Sequence, residues 1–63
     1  MEEVFNFLNY LKNEKHLSLP FASFFEDGSG YISYTDSYHE DVQLFGFCNF
    51  EELLQKIKYF DQN

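Results

Sequence analysis

The chain has 63 residues, 9 of them Phe and 5 Tyr, with 1 Cys, 4 Lys, no Arg and a net charge of −7. That length gives one domain, close to the lower limit at which a core forms without disulfides, metals or a partner, and one cysteine excludes an internal disulfide framework. The sign of the charge excludes the phosphate neutralisation on which direct binding to nucleic acid or to an anionic membrane rests.

Val4, Phe7, Leu8 and Leu11 recur at helical spacing, with Phe5 and Tyr10 flanking the stripe and Asn6, Asn9, Lys12 and Asn13 opposite. This predicts an amphipathic helix from about residue 2 to residue 14. Met1-Glu2-Glu3 has neither the basic start nor the apolar run of a signal peptide, so the expected location is the cytoplasm, or the host cytoplasm for a virus-encoded chain. No stretch reaches membrane-spanning length. The first helix must end before Pro20, and Ser18-Leu19-Pro20 reads as an extended connector.

Three segments suit a pleated surface: Phe21–Glu26, Tyr31–Thr35 and Val42–Cys48. Asp27-Gly28-Ser29-Gly30 supplies a tight turn between the first two, and Asp36–Asp41 a longer polar turn between the second and third. The final helix has Asn49 as its cap, Glu52 in the capping-box position, and an apolar face of Phe50, Leu53, Leu54, Ile57 and Phe60. The acids fall in its first turn, and Lys56 and Lys58 near its end, as the helix dipole favours. The expected fold is α+β, a single α-β-β-β-α domain over residues 1–63, with a three-stranded antiparallel sheet and both helices packed on one face.

Strict alternation divides the strand residues in two. Ala22, Phe24, Ile32, Tyr34, Val42, Leu44, Gly46 and Cys48 form the set expected to face the helices. Phe21, Ser23, Phe25, Tyr31, Ser33, Thr35, Gln43, Phe45 and Phe47 form the set expected on the open face. A bulge, for which Gly46 is the candidate, would turn Phe45 or Phe47 inward.

Charge is as unevenly placed as apolarity. Outside residues 16–55, Glu2, Glu3, Glu14 and Asp61 are matched by Lys12, Lys15, Lys56 and Lys58; inside lie Glu26, Asp27, Asp36, Glu40, Asp41, Glu51 and Glu52 with no basic residue except histidine. These seven acids, with Phe21, Phe25, Tyr31, Phe45 and Phe47, are the candidate partner-binding residues. Carboxylates would stand in for phosphates, and aromatics would supply the buried centre of an interface.

From Phe24 to Asp36 the chain resembles the calcium loop of EF-hand proteins, with Asp27, Ser29, Gly30 and Asp36 at its third, fifth, sixth and twelfth positions. The resemblance would make Glu26, Asp27, Ser29 and Asp36 weak calcium ligands. Phe25 stands where the first ligand belongs, and a plain hairpin turn uses the same Asp, Gly and Ser, so no metal or other cofactor is assigned. His16, His39 and Cys48 lack the close ligand pairs of a zinc site, and surface histidines with a buried cysteine are the preferred reading. A Cys48–His39 nucleophile pair is no better founded, and no catalytic residue is assigned: the chain is read as a non-enzyme.

In size, acidity and element order the chain looks like the small phage-encoded inhibitors, anti-CRISPR and anti-restriction proteins among them. That likeness implies a DNA-mimic inhibitor docking on the basic, nucleic-acid-binding surface of a larger protein. The alternatives are a homodimer or larger structural module joined through the aromatic face, and a weak calcium-binding regulator.

Overall fold

The computed structural model describes residues 1–61. Its elements are α1 (Glu2–Asn13), β1 (Phe21–Phe24), β2 (Gly30–Thr35), β3 (Asp41–Phe47) and α2 (Phe50–Lys58), the order that periodicity predicts. Helix α1 buries Val4, Phe7 and Leu11, three and four residues apart and therefore on one face. After it the chain is tied back by two backbone bonds, from the Leu17 N–H to the Leu11 carbonyl at 3.1 Å and from the Thr35 N–H to the Ser18 carbonyl at 2.8 Å. The connector is not extended, as Pro20 suggests it should be, but bends at Leu19, which has φ 48°. The bond from Thr35 fixes Ser18 against β2, so the chain must reverse before Phe21 can pair with Ser33.

The strands form an antiparallel sheet in the order β1-β2-β3. Phe21 pairs with Ser33 and Phe24 with Gly30 on one side of β2. On the other side Gly30 pairs with Phe47 and Ile32 with Phe45, yet Ser33 pairs with Gln43. Leu44 is therefore the extra residue of a β-bulge, and it inverts the alternation of β3 beyond it. Val42 shares a face with Tyr34 and Ile32 before the bulge, and Phe45 and Phe47 share that same face after it.

This corrects two expectations. Phe45 and Phe47 do not lie on the open face; they turn inward, and Phe47 is buried. The bulge is at Leu44, not Gly46. Burial explains the choice, because the inverted register covers two phenylalanines where strict alternation would cover Gly46 and Cys48. Cys48, expected inside, is exposed as a consequence.

Helix α2 starts as its sequence dictates. Asn49 is extended (φ −156°, ψ 172°), and its side chain accepts the Glu52 N–H at 2.8 Å. Asn49→Ala is expected to cost about 1 kcal/mol, seen as a lower urea midpoint at unchanged slope, whereas Asn49→Asp keeps the acceptor and should change little. Leu53 is the buried residue of this helix; Phe50, expected on its apolar face, is 37% exposed at its first position.

The core joins Val4, Phe7 and Leu11 of α1, Leu53 of α2, Ile32 and Phe47. Phe7, Phe45 and Phe60 close it with ring centroids 5.1–6.1 Å apart. Both helices thus sit on the Ile32 face. The other face carries no helix, and Ser33 is buried there because it lies on the central strand between Phe21 and Gln43.

Candidate protein-interaction surface

Three aromatics expected on the helix-free face are brought together there. Tyr31 is the centre, with Phe21 edge-on at 6.4 Å and Phe25 at 6.0 Å between centroids. Phe25 is 58% exposed, and its position is set by the turn: its N–H donates to the Ser29 carbonyl at 2.7 Å, and its carbonyl accepts the Gly28 N–H at 3.0 Å. Gly28 closes this turn at φ 91°, a conformation that favours glycine.

The turn also places two carboxylates beside Phe25. Asp27 Oδ1 accepts the Ser29 hydroxyl at 2.6 Å and the Ser29 N–H at 3.0 Å. Those bonds, the hydroxyl first, hold the Asp27 carboxyl below the ordinary carboxylate range. A depressed folded pKa stabilises the fold above the unfolded value, and this contribution disappears as pH falls through the folded value. Titration by NMR should therefore place the Asp27 midpoint below 3.8, and Ser29→Ala should move it upward.

At the opposite end of the sheet the β2–β3 turn repeats the combination. Asp36 is its organiser: its Oδ1 accepts the N–H of Tyr38 at 2.8 Å and of Glu40 at 3.0 Å, with His39 at φ 63°. Tyr38, which lies outside the three strand segments, is 83% exposed there, two and three residues before Glu40 and Asp41. Its signal was an aromatic residue in the middle of a polar, acidic turn, where no core position exists to claim it. The two turns lie about 20 Å apart, the length of β2 at roughly 3.3 Å per residue.

That separation bears on the calcium loop. Asp27 and Asp36 stand at opposite ends of β2, and each spends a carboxylate oxygen on its own turn. An EF-hand loop needs its third and twelfth positions around one ion, an arrangement the hairpin forbids. His39 and Cys48 are likewise at opposite ends of the sheet, so neither the zinc triad nor the nucleophile pair assembles. Among the described residues no group of three His, Cys, Asp or Glu side chains is placed to hold a metal ion.

Glu51 and Glu52, the other two candidate acids, lie in the first turn of α2. There Glu52 pairs with Lys56 at 3.3 Å. Lys56 also donates to the Gly46 carbonyl at 2.6 Å and lies over the Phe45 ring. Lys15 pairs with Asp61, whose other oxygen accepts the Tyr10 hydroxyl. All 4 lysines therefore belong to the helix layer or its ends, and among the described residues no salt bridge reaches Glu26, Asp27, Asp36, Glu40 or Asp41.

The surface also carries two clefts. One of about 490 Å³ lies between α1 and the end of α2, walled by Phe7, Tyr10, Ile57 and Phe60. The other, about 460 Å³, is lined by His16, Leu19, Tyr34 and His39. Among the described residues no helix is long and apolar enough to cross a membrane. Compared with family models, with curated proteins and with solved structures, the chain matches none.

Proposed function

We propose that this chain is an acidic interaction protein that docks through its helix-free sheet face on a basic, nucleic-acid-binding surface of a larger protein and thereby inhibits it. One observation carries the reading: an aromatic centre of Phe21, Phe25 and Tyr31 lies between two turns whose carboxylates form no salt bridge among the described residues, while the lysines fall on the helices or just after α1. Carboxylates about 20 Å apart along a rigid sheet can replace the phosphates of a bound strand, whose rise is about 3.4 Å per nucleotide. The aromatics add the apolar burial that a phosphate backbone lacks. The protein acts by occupying the surface; catalysis and metal binding form no part of the reading.

A homodimer through the same face is the second reading, favoured by the exposed aromatics. Five carboxylates on each copy's sheet layer would then be brought towards five like charges, which opposes it.

The test is a pull-down from host lysate with three baits: the native chain, Glu40→Lys/Asp41→Lys, and Glu2→Lys/Glu3→Lys as a helix-layer control. The expected result is a nucleic-acid-binding protein held by the native and control baits, released by salt or duplex DNA, and lost with the sheet-turn variant. A protein held equally by all three baits overturns the reading. So does a salt-tolerant dimer that captures nothing.

A further inference from the structure

We propose that the outer edge of β1 pairs with the same edge of a second copy of this chain, antiparallel about Ser23, so that two sheets join into one. The edge is a different surface from the docking face, and the inference does not rest on the function proposed above.

The phase of the first hairpin shows what this edge offers. Phe25 donates its N–H to the Ser29 carbonyl, Ser23 lies opposite Tyr31, and Phe21 lies opposite Ser33. Bonded and non-bonded pairs alternate along an antiparallel ladder, so Phe25, Ser23 and Phe21 turn their N–H and carbonyl groups towards β2. Ala22 and Phe24 turn theirs away from it. Among the described residues no hydrogen bond reaches those outward groups.

The other edge of the sheet is closed. Gly46 lies opposite Tyr31, whose own bonds go to Ser23, so the Gly46 carbonyl points outward, and there Lys56 donates to it at 2.6 Å. The bulge at Leu44 interrupts the rest of that row. A lysine and a bulge are devices that keep an edge strand from pairing. β1 has neither: residues 16–25 contain no Asp, Glu, Lys or Arg, and Leu19, Phe24 and Phe25 are exposed among them. β1 is 4 residues long and follows Pro20, which confines the pairing to Ala22 and Phe24 and keeps it weak.

A second copy fits this edge in pattern and in charge. Antiparallel about Ser23, Ala22 lies opposite Phe24 of the second copy on the helix side, small against large, and the symmetry repeats the match. Phe21 lies opposite Phe25 of the second copy on the helix-free side. A charged strand would lose water beside Ala22 and Phe24 without gaining a partner, whereas the chain's own β1 is neutral. Face-to-face pairing would press acids on acids, but edge pairing sets the two copies of Glu26 about 20 Å apart along the strands, beyond the ~8 Å screening length of physiological salt. Glu26 of the second copy then lies roughly two strand spacings, ~10 Å, from the Asp36 turn, a repulsion that added salt relieves. The helix-free faces of both copies fall on one side of the joined sheet and stay open.

The test is sedimentation velocity of the native chain over a concentration series at low and high salt, with amide hydrogen exchange followed at the same concentrations. The mass should rise from one copy to two, and at lower concentration in high salt, the opposite of docking on a basic surface. Exchange at Ala22 and Phe24 should slow roughly threefold when two-thirds of the chain is paired, since only the free copy exchanges, while Gly46 on the closed edge is unchanged. Ser23→Lys and Ser23→Glu, each shown to be folded by a thermal melt, should remain single alone and pair when mixed, because the substituted side chains meet at the two-fold axis.

A native chain that stays single at every concentration overturns the proposal. A pair that leaves exchange at Ala22 and Phe24 unslowed is joined through another surface and also overturns it. So does Ser23→Lys pairing with itself as strongly as the native chain.

Discussion

Gly30→Ala is expected to unfold most of the protein at room temperature. Gly30 is buried at the start of β2, paired with Phe24 on one side and Phe47 on the other. A Cβ there would fall on the Ser23 carbonyl oxygen and 2.9 Å from Phe47 Cζ. The oxygen belongs to the backbone of the neighbouring strand, so it cannot move without parting β1 from β2. The Phe47 ring is walled in by the core and by Phe24, 5.6 Å away between centroids.

Overpacking of a well-filled site costs about 1–3 kcal/mol, and a clash with backbone adds to that. A domain of this size has a total stability of roughly 3–9 kcal/mol at the usual value per residue. Far-UV circular dichroism with a urea series should show a midpoint near or below zero denaturant for Gly30→Ala. Gly28→Ala, with open space around the added carbon but φ 91°, should keep a folded baseline and lose about 1 kcal/mol. A Gly30→Ala protein as stable as the native chain would mean that β1 and β2 pair in another register.

How far the sequence revealed these features depends on the range over which each is decided. The helices were legible because an apolar stripe, an Asn cap and a charge gradient are all set within a few residues of one another. The two hairpins were legible for the same reason, with Asp27 and Asp36 organising their turns locally. The face of β3 was not. Val42, Leu44, Phe45 and Phe47 satisfy an apolar face in either register, and only the space under α1 and α2 decides between them. Side-chain volume favours the observed register, since two Phe rings bury more apolar area than Gly46 and Cys48 would.

The acids show the same division. Their excess over lysine is a matter of counting, but their separation into two ends is a property of the hairpins, and Glu52 leaves the group through its i,i+4 partner Lys56. That spacing was visible in the sequence. The exposed aromatic at the second turn, Tyr38, was visible too, but it stood outside the three segments read as strands.

Phe47→Ala and Phe25→Ala together test the bulge and the interaction face at once. Strict alternation puts both rings on the open face and would make the two substitutions equally mild. The observed register makes Phe47 a core residue, 5% exposed against Phe24 and the buried Gly30, while Phe25 stays 58% exposed on the turn. Truncating a buried phenylalanine costs about 3–5 kcal/mol, and truncating an exposed one about 0.5 kcal/mol. Phe47→Ala should therefore unfold much of the population. Phe25→Ala should melt within a few degrees of the native chain and yet bind a basic partner more weakly. This contrast is the expected outcome if Phe47 serves the fold and Phe25 the proposed docking face. Equal and small losses in stability would return Phe47 to the open face, remove the bulge at Leu44, and enlarge the aromatic patch available to a partner by the rings of Phe45 and Phe47.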